Sequence, residues 1–281
     1  MEKKILIPTN FTKHAWNTLV YALNLYKNIP CTFYILNAYE VPVRISLKRN
    51  HNAELEAAKA ESENGLQKTL QGLNFRKENP KHKFETISRN KDLAEAIQET
   101  IDAHNIDLIL MVSRGENVSI NAAFENEISE VTEKVEHCPF LILPEKMQEL
   151  PTSKREIVFP TNYKFPFKNK EVAALIDMAE NLNASIRILY INSDGRPLTK
   201  EQEQNQEALK TYFSGVDFSF HKLTQTTETT GIHLFTESRD SNFLALYKRK
   251  QGFFSKLFSQ RFKEEIDFNP KVPVLILKEL E

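Results

Sequence analysis

Ile5-Leu6-Ile7-Pro8-Thr9-Asn10-Phe11, near the start of the chain, has a second version just past the middle, Ile157-Val158-Phe159-Pro160-Thr161-Asn162-Tyr163. Each version is a short apolar, β-branched run stopped by proline and then by a polar pair able to start a turn. A strand buried on both faces of a parallel sheet ends in this way. An offset of about 150 residues is too long for a solenoid unit and fits two copies of one domain.

Outward from these two stretches, strands and helices alternate. In the first half, strands are expected at 4–8, 31–38, 83–88, 107–112 and 140–143. Thr12 caps a helix with Trp16, Leu19, Val20 and Leu23 on its apolar face. A polar helix carries Leu55, Ser62, Leu66, Leu70 and Leu73, and a third, started by Asn90 or Asp92, buries Leu93, Ala96, Ile97 and Ile101. A glutamate-rich helix covers roughly 121–136. The second half repeats the order, with strands at 156–160, 185–191, 217–223, 242–247 and 272–277. Its helix near 169–182 carries Val172, Leu175, Ile176 and Ala179. A Thr199/Gln202 capping box opens the next, and Thr230 is read as the cap of the last. The linker is 146–154, so the domains are 1–146 and 154–281. The fold class is α/β, two tandem Rossmann-like domains, each a mostly parallel five-stranded sheet flanked by helices. Ligands of such sheets bind beyond the carboxyl ends of the strands.

Composition narrows the function. With 41% hydrophobic residues and a net charge of -1, the chain is neither disordered nor generally nucleic-acid-seeking. No apolar run approaches the roughly 20 residues that cross a bilayer, and MEKKILIPTN lacks a signal-peptide core. Cys31 and Cys138 lie in apolar contexts, which fits a reduced, cytoplasmic setting. Only seven glycines occur, which counts against a glycine-lined phosphate cradle. The seven histidines show no ligand spacing, so no metal site is expected. His137 beside Cys138 hints at an activated thiol, but burial is the preferred reading.

Three features, in order and twice over, carry a resemblance: the I-L-I-P-T-N-F opening, the strand DLILMV running into Ser113-Arg114-Gly115, and T-E-K-V before Cys138-Pro139-Phe140-Leu141-Ile142-Leu143-Pro144. The chain resembles a tandem universal stress protein. The resemblance implies an adenine-nucleotide-hydrolase-like sheet, usually dimerised through its last strand. It also implies a nucleotide site of Pro8, Thr9, Asn10, Ser113, Arg114 and Gly115. ATP-binding relatives carry an aspartate where Asn10 and Asn162 stand. They also carry a glycine series whose members fall here on Val112, Gly115 and Glu125-Asn126 or Asn126-Glu127. One glycine of three remains, and a glutamate beside a triphosphate would repel it. No cofactor is therefore expected, with ATP as the alternative.

Two readings of each site residue stand. Arg114-Gly115 holds a phosphate or turns the chain into the next helix, and the turn is preferred. Asn10 and Asn162 read an adenine edge or form Asx turns on their own backbone. In the second half, Lys248, Arg249, Lys250, Lys256, Arg261 and Lys263 interleave with Phe253, Phe254, Leu257, Phe258 and Phe262. That segment reads as an amphipathic helix, as an interface facing the acidic element Glu116–Glu136, or as an anion-binding surface. The expected function is a non-enzymatic role in stress adaptation through protein or ligand binding, with the nucleotide site degraded in both domains. The alternative is an ATP/AMP-binding switch or weak ATP hydrolase. A homodimer and a protein partner are expected, without membrane or nucleic acid.

Overall fold

The computed structural model describes residues 2–41, 51–112, 127–144, 155–192, 195–249 and 272–279. Two compact units divide the chain, one of Met1–Val112 and Glu130–Cys138, the other of Ser113–Ser129 and Pro139–Glu281.

In the first unit, β1 (Lys3–Pro8), β2 (Cys31–Tyr39), β3 (His82–Asn90) and β4 (Leu108–Val112) are all parallel, in the order β3-β2-β1-β4. The strands are connected by α1 (Lys13–Leu25), α2 (His51–Asn74) and α3 (Leu93–His104), and α4 (Glu127–Lys134) follows. Ile5, Leu6 and Ile7 are consecutive and almost fully buried, so β1 is covered on both faces. Burying each such side chain stabilises the fold by about 1.5–3 kcal/mol. At the edge of the sheet β3 buries Ile87 alone.

In the second unit β5 (Phe140–Leu143) is followed by β6 (Arg155–Thr161), α5 (Asn169–Leu182), β7 (Ala184–Asn192), α6 (Lys200–Tyr212), β8 (Phe218–Thr224), α7 (Glu228–Ser238), β9 (Phe243–Lys248) and β10 (Val274–Lys278). Its strand order is β5-β10-β9-β6-β7-β8. All pairs are parallel except β5–β10, where Phe140 faces Ile276 and Ile142 faces Val274. The closing strands of the two repeats therefore pair with each other. In the centre, Ile157, Val158 and Phe159 of β6 are fully buried, as the repeated stretch predicts.

Three expectations need correction. The face of α1 turned to the core carries Ala15, Thr18, Leu19, Ala22 and Leu25, so Trp16, Val20 and Leu23 lie to one side. Alanines let the helix approach the sheet closely, and the larger residues then pack laterally. Thr227, rather than Thr230, caps α7, its hydroxyl accepting from the Thr230 amide at 3.3 Å. On α3 the buried residues are Ala94, Ala96, Ile97 and Thr100, with Leu93 and Ile101 half-buried. Thr12, Asp92 and the Thr199/Gln202 box start their helices as read.

At the amino end of the second sheet, Glu156 of β6 joins two arginines. Its Oε1 accepts from Arg187 Nε at 2.8 Å and from an Arg239 guanidinium N–H at 2.7 Å, and its Oε2 accepts from Arg239 Nε at 2.9 Å. Burial pushes this carboxyl up, but the hydrogen bonds and charges of Arg239 and Arg187 outweigh it and hold it below its ordinary 4.5. A lowered folded value means that the stabilisation is complete above pH 4.5 and is lost as pH falls through the folded value. Glu156→Gln is expected to cost about 1.5–3 kcal/mol at neutral pH. Urea unfolding across a pH series should show that difference shrinking below pH 4.5, the ordinary value.

Candidate functional site

In each unit the strand order reverses beside the central strand, β1 lying between β2 and β4, and β6 between β7 and β9. This reversal opens a crevice beyond the carboxyl ends, where open α/β sheets take their ligands. The repeated Thr-Asn pair stands at that point in both units.

At the first mouth, Thr9 prolongs the ladder, its amide donating to Leu36 O at 2.7 Å. Asn37 at the end of β2 is buried and donates from Nδ2 to Thr9 O at 2.7 Å. The side chains then build the turn. Thr9 Oγ1 accepts from the Phe11 amide at 3.1 Å, and Asn10 Oδ1 accepts from the Thr12 hydroxyl at 2.7 Å and its amide at 3.3 Å. Thr12 Oγ1 in turn accepts from the Ala15 amide and caps α1. Phe11 between them has φ 60°, in the left-handed region. Pro8 and Thr9 are half-buried and Asn10 is exposed. Ser113, Arg114 and Gly115 lie outside the described residues.

The second mouth repeats the two bonds that close the turn. Thr161 Oγ1 accepts from the Tyr163 amide at 3.2 Å, Asn162 Oδ1 accepts from the Lys164 amide at 3.0 Å, and Tyr163 has φ 56°. Both asparagines are thus Asx turns. What fills the crevice beyond is Arg249. Ile5 faces Leu108 and Ile157 faces Phe243, and six residues on from each partner the sequence has Arg114 and Arg249. Its guanidinium lies 4.8 Å from the Tyr247 ring centre, 5.3 Å from that of Phe165 and 5.5 Å from that of Phe167. It donates to Pro166 O and stands 3.7 Å from Glu171 Oε2. Glu171 is buried in the first turn of α5, where it also accepts from the Lys168 amide at 2.8 Å. A helix start is where an anion would dock, and here the chain's own carboxylate sits there.

This arrangement pairs the chain's own groups with one another. The phenols of Tyr163 and Tyr247 are pushed up by burial and stay protonated. Cys31 is buried and its thiol is pushed up to about 12 by desolvation. Cys138 is buried too, with Sγ 3.5 Å from Ile106 O, so neither is an activated nucleophile. Among the described residues no group of three His, Cys, Asp or Glu gathers into a metal cage. Glu171 and three aromatic rings stand around Arg249 at the second mouth. In sequence, Arg249 belongs to a basic run open to three readings, as the solvent face of an amphipathic helix, an interface or an anion-binding surface. The structure turns Arg249 inward instead. The aromatic pair Phe165 and Phe167 before a helix bearing Glu171 was the available signal. Beyond residue 249 the basic segment lies outside the described residues.

Arg249→Ala is expected to destabilise the second unit by about 3–5 kcal/mol, because it removes a guanidinium from beside the buried Glu171 carboxylate. The double variant Arg249→Ala/Glu171→Gln should cost less than the two single changes summed. Equilibrium urea unfolding of all four proteins measures that coupling.

Comparison with known proteins agrees with the geometry. The model of the universal stress protein family matches residues 1–144. A universal stress protein from Archaeoglobus fulgidus DSM 4304 shares 15% identity, with 98% of this chain and 96% of that chain covered at a TM-score of 0.64. A functionally unknown protein from Pseudomonas aeruginosa PAO1 shares 15% identity, with 98% and 92% covered at a TM-score of 0.59. Identities this low speak to the fold alone. A search of the curated proteins found no match. The family's model accounts for just over half of the residues, and the β1/β4 crevice with its Pro-Thr-Asn turn lies within the matched part. This chain belongs to the universal stress protein family.

Proposed function

We propose that this universal stress protein serves stress adaptation as a binding or interaction module without catalytic chemistry, its nucleotide site degraded in both repeats. The observation that carries this reading is Arg249, stacked among Tyr247, Phe165 and Phe167 and facing Glu171 where a phosphate would dock. In the first repeat, Asn10 stands in place of the relatives' aspartate and commits its oxygen to Thr12. Neither mouth, among the described residues, pairs a nucleophile with a base. The proposal includes two domains, 1–146 and 154–281, a homodimer and a cytoplasmic setting. Among the described residues no helix is long and apolar enough to cross a membrane.

One observation favours a second reading, an ATP- or AMP-binding switch or weak ATP hydrolase at the first mouth. Asn10 is exposed there, and its Nδ2 has no hydrogen bond among the described residues. Pro8, Thr9, Asn10, Ser113, Arg114 and Gly115 would surround the ligand, with Arg114 offsetting its charge. Thermal unfolding with and without Mg-ATP separates the two. A ligand at one hundred times its dissociation constant adds about 2.7 kcal/mol, which raises the midpoint visibly. The expected result is no rise. A reproducible rise that Gly115→Glu abolishes would establish the second reading and defeat the first.

A further inference from the structure

We propose that the first unit holds a second binding site, for a small aromatic anion, in a partly open cavity of about 400 Å³ between α1, α2 and the sheet. The reading goes beyond the proposed function; the lining also includes Thr9 and Thr12, so the cavity adjoins the turn of the first mouth. Ile7 of β1, Ile35 of β2 and Leu19 of α1 line it with apolar surface, and Trp16 supplies an indole wall. Its volume lies within the about 300–1,000 Å³ typical of small-molecule pockets.

Two glycines keep this space open. Gly65 and Gly72 lie seven residues apart on one face of α2. A Cβ on Gly65 would meet the Phe11 ring at 2.4 Å, and one on Gly72 would meet the Trp16 indole at 2.9 Å. Both rings therefore lie against bare helix backbone and stay out of the interior. Phe11 is left 39% exposed at the mouth.

The second repeat shows that the fold does not require the cavity. Tyr163, the counterpart of Phe11 in the same left-handed turn, is fully buried, its ring 5.2 Å from that of Tyr190. The side chains of α6 clamp it there. Gln202 Nε2 donates to Asn162 O, and Asn205 Nδ2 donates to Tyr163 O, each at 2.7 Å. One turn thus has two outcomes, a filled interior and an open one. Native interiors hold few voids larger than a water molecule.

Charge selects the ligand. Lys13 and Lys68 stand at the cavity, both exposed, and neither has an ion pair or hydrogen bond among the described residues. An apolar planar body against Trp16, with a carboxylate or sulfonate reaching the two ammonium groups, satisfies walls and rim together.

Trp16 is the chain's single tryptophan, so its emission reports this cavity. Titration of the full chain with the anionic dye anilinonaphthalene sulfonate should give saturable, one-to-one quenching with sensitised dye emission. The surface pair Lys13→Glu/Lys68→Glu should weaken binding about tenfold, with salt weakening the parent similarly. Thr69→Phe, which fills the cavity from α2, should abolish saturable quenching while the circular dichroism of the fold is kept. The proposal is overturned by quenching that does not saturate, or that survives Thr69→Phe. It is also overturned if excess Mg-ATP displaces the dye, or if neutral phenylnaphthylamine binds as tightly and the lysine reversals change nothing.

Discussion

The middle of a strand with partners on both edges and cover on both faces has no place for a polar side chain. β1 and β6 are in that position, and the rest of each unit is arranged around them. Polarity returns only past the proline, and it returns as Thr-Asn, two side chains that bond the backbone just ahead of them. The turn they fix places an aromatic residue in the left-handed region and aims the chain into the following helix. Position, direction and spacing of the crevice all descend from this constraint.

Given the same turn, the two repeats spent it differently. In the first, the aromatic residue lies over a glycine of α2 and the interior beside it stays open. In the second, tyrosine folds inward beneath amide side chains, and an arginine seals the neighbouring crevice. The second unit thus lines its crevice with internal contacts. A guanidinium can do this where an ammonium would not, because its flat face stacks on rings while its edge meets a carboxylate.

Much of the fold was legible because buried parallel strands are written as uninterrupted apolar runs, as in Ile157-Val158-Phe159 and Leu108–Val112. Helix faces were harder. Reading α1 by its largest residues chose Trp16, Val20 and Leu23, whereas the sheet selects the small Ala15 and Ala22. The cap of α7 slipped by three residues because threonine stands at 226, 227, 229 and 230, and only packing decides among them. At the site, the Asx turns could be read from Thr-Asn, but Arg249 could not, since a charge in a basic run gives no sign of which way it points. Gly65 and Gly72 were not singled out in the sequence, and their use in seating rings depends on which residues of α1 face α2.

β5 comes from the first repeat in sequence and joins the second unit in space, lying antiparallel along β10. Without it, β10 would show a bare row of amides and carbonyls flanked by Val274, Leu275 and Ile276, the kind of edge to which other chains add strands. Four residues lent across the duplication therefore act as a guard strand. A gene for the second repeat alone would encode a sheet with an adhesive margin, so the two copies are bound to travel together.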